Sequence, residues 1–196
     1  MKILPLLAAS AAIAFCAPAS AATFVVDAFT HSSNAGAGTP LNTGIALTAG
    51  QTLTVSSSTN DLWSAGALPR FSDANGLVGN RFATAADDSG QAPGTQIGQN
   101  FGLWNNFGYD APYGALVGRI GSSYQLLGAN FSGPAWATGT LELFYWDSNQ
   151  GDNAGSIAFD INAVPEPATW GMMIMGFGVM GAAMRRRRQQ VRVTYA

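Results

Sequence analysis

Cysteine and histidine are nearly missing from this chain: its 196 residues hold one of each, Cys16 and His31, and only 10% of the residues are charged. Ser-His and Cys-His nucleophile pairs need an imidazole, and zinc catalysis needs ligands of the same kind. His31, beside Ser32 and Ser33 near the start of the chain, has the character of a surface residue. Glu142 is the sole glutamate between Ala22 and Val164, and no carboxylate pair is singled out for glycoside hydrolysis. The expectation is a protein that is not an enzyme, with a glycan-active enzyme as the most distant alternative. Basic residues are few and unevenly spread. Arg185, Arg186, Arg187, Arg188 and Arg192 crowd the end and Lys2 the start, which leaves Arg70, Arg81 and Arg119 against ten acidic residues from Ala22 to Val164, a net −7. Such a body has no reason to seek a phosphate backbone, which argues against nucleic acid as a partner.

What is present begins with two terminal segments. Lys2 followed by the apolar run Ile3 to Ala17, then Ala19-Ser20-Ala21, has the layout of a secretory signal peptide over 1–21, with Ala19 and Ala21 as the small residues before the cut. Cys16 lies inside it, so the mature chain would carry neither thiol nor disulfide. At the other end, residues 168–184 contain no charge. Seventeen residues rise about 25 Å as a helix, near the lower limit for a membrane crossing, and four arginines follow at once. This predicts a single transmembrane helix over 168–184 with a cytoplasmic tail at 189–196 and the globular part facing away from the cytoplasm. A buried core helix is the alternative.

Pro165-Glu166-Pro167, Trp170, the Gly-Phe-Gly run and Arg185 to Arg188 occur in that order. Together they resemble the PEP-CTERM sorting signal of exported proteins from exopolysaccharide-producing Gram-negative bacteria, with Gly171 where alanine is usual. The resemblance implies an exosortase as partner, processing near the Pro-Glu-Pro, and delivery from an inner-membrane-anchored precursor to the cell surface or extracellular matrix. Two prolines around Glu166 would hold the tripeptide extended and outside the helix, readable by another protein.

The body, 22–164, alternates with period two. Thr23 to Phe29 forms a first strand, and Gly44 to Leu47 with Thr52 to Ser57 flank the turn Thr48–Gln51 as a hairpin. Leu141, Leu143 and Tyr145 alternate with Glu142, Phe144 and Trp146; Ile157, Phe159 and Ile161 alternate with Ser156, Ala158 and Asp160. A strand from Gly114 to Ile120 continues past Gly121 into Tyr124 to Leu127. Short strands, Gly/Asn/Asp turns and no helix outside the termini give an all-β antiparallel sandwich, jelly-roll or related. Residues 70–112 show no sustained period and are expected as a long loop or insertion, functional or mobile. Its end carries Phe101, Trp104, Phe107 and Tyr109. Aromatic faces on loops stack on sugar rings, which makes Trp104 and Tyr109 ligand-binding candidates; a loop pinned down by its own aromatics is the alternative.

Asp147 to Ala154 places Asp147, Asn149, Asp152 and Asn153 within seven positions. Calcium takes about six to eight hard oxygens, and carboxylates, carboxamides and carbonyls of this loop are of that kind. An Asn/Asp/Gly turn bonding its own backbone uses the same residues. Val26-Asp27-Ala28, Asn42-Thr43-Gly44-Ile45 with Thr48 to Gln51, Ala111 to Gly121 and Gly139 to Ser156 resemble, in that order, the PA-IL-like galactose-binding lectin family. The resemblance implies a small β-sandwich in which Asp147 matches a calcium-binding aspartate and Asp152 and Asn153 an adjacent ligand pair, with sugar hydroxyls completing the shell. The loop is shorter here by about two residues, Asp152 replaces an asparagine, and the long insertion replaces a sugar-contacting loop, so galactose specificity does not follow. The leading expectation is an exported surface or matrix protein that binds extracellular polysaccharide with calcium; a purely structural or adhesive matrix protein is the rival.

Overall fold

The computed structural model describes residues 20–34, 39–164 and 167–188. Residues Ala19–Val164 make one compact unit, and the tail belongs to another. The first three strands are β1 (Ser20–Asp27), β2 (Leu41–Leu47) and β3 (Thr52–Ser56). Six shorter ones follow: β4 (Trp63–Ala65), β5 (Phe71–Ser72), β6 (Arg81–Phe82), β7 (Gln96–Gly98), β8 (Leu103–Asn106) and β9 (Tyr109–Pro112). The last six are β10 (Ala115–Ile120), β11 (Ser123–Leu126), β12 (Asn130–Pro134), β13 (Gly139–Trp146), β14 (Asn153–Ala154) and β15 (Ser156–Val164). Two four-stranded antiparallel sheets, β1-β15-β3-β12 and β11-β10-β13-β2, enclose the main core. The all-β sandwich expected from the alternation is what the chain forms.

Period-two patterning sets the inner faces. Ile157, Phe159, Ile161 and Ala163 of β15 join Leu53 and Val55 of β3 from one sheet; Leu141, Leu143 and Tyr145 of β13 join Leu116 and Ile120 of β10 from the other, all at or near zero exposure. Two expected connections turn out differently. Thr48–Gln51 is a turn, with Gln51 N–H bonded to Thr48 O at 2.9 Å. Yet β2 pairs with β13 while β3 pairs with β15 and β12, so the turn carries the chain between layers instead of closing a hairpin. Alternation shows that a strand has one buried face and says nothing of whether its sequence neighbour lies beside it or across from it. Conversely, Gly121 adopts φ 62° and reverses the chain, so β10 and β11 are antiparallel partners instead of one continued strand.

The segment 70–112, expected as a loop without period, holds strands of two to four residues, too short to show one. β6 pairs with β7 and β8 with β9, and β4, β5 and β14 form a small third sheet. Arg81 Nη1 meets Asp73 Oδ2 at 2.9 Å within this segment, and Leu62, Ala83 and Ile97 bury a minor cluster. Residues of the β8–β9 hairpin pack with the other face of the β10–β13 pair, where Ala111, Ala115, Val117, Phe144 and Trp146 form a second apolar cluster.

The tail helix, α1, spans Pro167–Arg188. Pro167 therefore occupies its first position, where a missing N–H costs nothing, and is not held outside it as expected. Pro165 and Glu166 lie outside the described residues, as do 1–19, including Ala19 and Cys16, and Arg192. The expected transmembrane span at 168–184 is corrected: among the described residues no helix is long and apolar enough to cross a membrane. Gly171, Gly176, Gly178 and Gly181 dilute its hydropathy, and 17 uncharged residues reach only about 25 Å against a hydrocarbon core of about 30 Å.

Candidate functional site

Asp147 leaves the end of β13 and is 3% exposed. Its surroundings come from three separate stretches. The first is the turn after β1: Thr30 N–H bonds to Asp27 Oδ1 at 2.7 Å, Asp27 N–H bonds to His31 Nδ1 at 2.9 Å, and Tyr145 N–H bonds to His31 O at 2.9 Å. Ser33 then holds the exit of β13, its Oγ accepting from Asp147 N–H at 3.1 Å while its N–H bonds to Tyr145 O at 2.8 Å. His31 is thus engaged as an acceptor, and burial pushes its imidazole below the usual histidine range.

The second stretch is the loop itself. Asn149 N–H donates to Asp147 Oδ2 at 3.0 Å, and the Asn149 side chain caps a short 3-10 turn, Gln150–Asp152, by accepting from Gly151 N–H at 3.2 Å. Asn149 Nδ2 donates to Asp152 Oδ1 at 2.8 Å. Its carboxamide is therefore spent on the turn, as the Asn/Asp/Gly alternative describes. Asn153 follows as the first residue of β14, fixed by pairing with Ala65 of β4. Its Nδ2 donates to Ala28 O at 3.2 Å, whereas Oδ1 is buried with no hydrogen-bond partner.

The third contribution is Tyr145, wholly buried, with a hydroxyl that also has no partner. Burial pushes this phenol well above its usual range, and the carboxylates of Asp147 and Asp152 push it further. Burial likewise raises the Asp147 carboxyl, against the pull of the Asn149 and Ser148 amides and the Asn153 side chain, while Asp152 adds repulsion. Two acids, an unpaired carboxamide oxygen and an unpaired phenol gather here, with Arg70 in loose contact with Asp152 at 3.6 Å. Unsatisfied buried polar atoms are costly, and a hard cation would satisfy them. Asp147, Asp152 and Asn153 fit such a cation as oxygen donors. Among the described residues no group of three or more His, Cys, Asp or Glu is arranged to hold a metal ion, so carbonyls or water would have to complete the shell.

The raised Asp147 carboxyl predicts a pH effect. The native chain holds this proton more tightly than the unfolded one, so stability falls as pH rises from about 3.9 through the native value and stays lowered at neutrality. In calcium-free buffer, Asp147→Asn is expected to melt a few degrees higher than the parent at pH 7, with the gain shrinking as the pH falls toward 4. Paired thermal melts at the two pH values check this; an asparagine variant that melts lower at pH 7 contradicts it.

Other predicted positions lie elsewhere. Trp104 is half-buried, its ring centroid 5.6 Å from Trp146, and its carbonyl accepts from Trp146 Nε1 at 2.8 Å. Tyr109 accepts from Leu126 N–H at 2.7 Å and packs edge-on to Trp146. Both brace the second aromatic cluster, and the more exposed ring there is Phe107, which stacks on Tyr124 at 5.5 Å. Ala21 lies in β1 opposite Asn162, and a cut after it leaves the register intact from Ala22↔Ile161 onward. Trp170 and Arg185 to Arg188 belong to α1.

Arg70 and Gly66 were not singled out by sequence. Arg70 Nη1 stands 3.6 Å from Asp152 Oδ2, with both side chains 39% exposed. Gly66, at φ 113°, allows the approach, since a Cβ there would come within 2.7 Å of Asp152 Oδ2. A glycine in a turn and an arginine among Gly/Pro residues carry no periodic signal, so only the folded chain shows them converging.

Fold and tail thus define a β-sandwich protein with a separate C-terminal sorting segment. The PEP-CTERM protein-sorting motif matches residues 163–188, from the end of β15 through α1. The chain is similar to a solved structure described as "EclA N-terminal domain; PllA-like lectin", with 24% identity and a TM-score of 0.45 over 72% of this chain and 95% of that one. Among curated proteins none matches.

Proposed function

We propose that this is an exported protein, handled by an exosortase through its sorting segment, whose body binds carbohydrate of the extracellular matrix at the Asp147–Asn153 loop with calcium as the bridging ion, and without turnover. The observation that carries the binding site is the unpartnered, buried Asn153 Oδ1 set beside the buried Asp147 carboxyl, with Asp152 close by. Calcium would supply a Lewis-acidic centre that accepts sugar hydroxyls. The chain's own part is to hold the donors: Ser33 fixes where β13 ends, Ala28 O orients the Asn153 carboxamide, and pairing of β14 with β4 sets Asn153 opposite Ala65. The residue pattern shared with PA-IL-like lectins supports the same assignment. A binding role rather than catalysis is supported by the engagement of His31 in its own turn.

The test pairs stability with binding on the full chain. At calcium near 100 times the dissociation constant, a ligand of the folded state alone adds about 2.7 kcal/mol. Calcium is expected to raise the melting temperature, chelator to reverse it, and Asp147→Ala to abolish both the shift and retention on a glycan array. Identical melts with calcium and chelator would sink the metal; a blank array would leave a purely structural matrix role.

A further inference from the structure

Three arginines serve an acidic body, and two of them are committed to its structure. Arg81 holds Asp73 at 2.9 Å and also reaches Thr59 O. Arg119 holds Glu142 at 2.6 Å, and the pair is mostly covered. Arg70 differs. Among the described residues its guanidinium makes one hydrogen bond, a long one of 3.4 Å from Nη1 to Ala65 O, and its ion pair with Asp152 is loose at 3.6 Å. A guanidinium has five N–H donors in a planar fork, so most of this group's capacity is unclaimed. Its position is nevertheless defined, because the guanidinium carbon lies 4.6 Å over the Phe101 ring, and Phe101 is set edge-on against Tyr113 at 5.2 Å.

We infer that Arg70 is the specificity residue of the carbohydrate site and that the ligand is an acidic sugar, a hexuronate or similarly carboxylated residue of a polysaccharide. The inference rests on the binding site proposed above. Asp152 links the two: one oxygen faces Arg70, and the carboxylate belongs to the loop that would hold the cation. A cation that draws on Asp152 relieves Arg70 of its weak partner, leaving a half-exposed fork at the rim of the site. Planar bidentate pairing of guanidinium with carboxylate is the geometry that such a fork favours. Phe101 is a positioning residue, holding the guanidinium by its face. The body's net −7 does not forbid an anionic ligand, because long-range repulsion is screened beyond about 8 Å at physiological salt, while the arginine and a divalent cation act at contact.

The experiment measures binding of the full chain by calorimetry, with about 1 mM calcium, to galacturonate against galactose and glucuronate against glucose, each pair differing in a carboxylate. At least one uronate is expected to bind tenfold or more tighter than its neutral counterpart. Arg70→Gln should bring that ratio to within about twofold, through loss of uronate binding, and Arg70→Lys should fall between, since it keeps the charge and loses the fork. Phe101→Leu should lower the ratio in part. Equal binding of acid and neutral sugars, or a preference that survives Arg70→Gln, overturns the inference while the carbohydrate site stands. No binding to any of the four overturns the site itself.

Discussion

Replacing Trp63 by alanine is expected to destabilise the body by about 3–5 kcal/mol, the range for emptying a buried aromatic site. Trp63 is fully buried in the short strand β4 and joins three layers. Its ring meets Tyr145 of β13 edge-on at 4.7 Å and Phe159 of β15 at 5.8 Å, so it touches both main sheets. Its Nε1 donates to Gly114 O at 2.8 Å, just before β10 begins. Alanine would leave a void and leave Gly114 O with the Ser72 hydroxyl alone, at 3.2 Å. Against a total of roughly 5–15 kcal/mol, that is a large share, equivalent to a fall of about 10–20 °C in melting temperature. Trp63→Phe keeps most of the packing and loses mainly the hydrogen bond, so it should cost about 1–2 kcal/mol. An alanine variant melting within 2 °C of the parent would show that Trp63 does not tie β4 to the two main sheets.

Replacing Pro165 and Pro167 together with alanine is expected to bring release of the chain to the cell surface close to background. Pro167 opens α1 and cannot be preceded by a residue in comfortable helical geometry, so the helix is stopped there. Alanine at both positions lets the helix extend backward through Glu166, which removes the local shape a processing enzyme would read. Surface labelling of whole cells, compared with the amount retained in the cell envelope, measures the effect. Undiminished surface delivery would remove the sorting role from the Pro-Glu-Pro. Because the body forms its own compact unit, its melting temperature should be the same in parent and variant, which separates a sorting defect from misfolding.

Much of the sandwich was legible because β13 and β15 alternate so cleanly. Leu141, Leu143 and Tyr145, and Ile157, Phe159 and Ile161, are all buried on inner faces as the pattern demands. The same pattern assigned Phe144 and Trp146 to an outer face, which is correct, but that face is not in solvent. Tyr109 and Trp104 of the β8–β9 hairpin pack there, and a strand of four residues has too few positions to declare itself by period. The Asp147 loop was legible by residue type alone. Its division of labour was not: Asn149 caps a turn, Asn153 is held with a bare oxygen by a β-bridge to Ala65, and Asp152 faces an arginine 82 positions earlier.

By itself the sequence determined the properties that depend on order and composition: an acidic body without thiols after the first 21 residues, a sorting segment with its arginines, and strands with one apolar face. These follow from local chemistry, which needs no partner to be defined. Tertiary structure alone decided that β2 and β3 belong to different sheets, that Asp147, Asn153 and Tyr145 are buried around one loop, and that Arg70 meets Asp152. The physical reason for the convergence is burial. The charge on Asp147 and the bare oxygen on Asn153 acquire their meaning from exclusion of water, and only packing of distant segments excludes it.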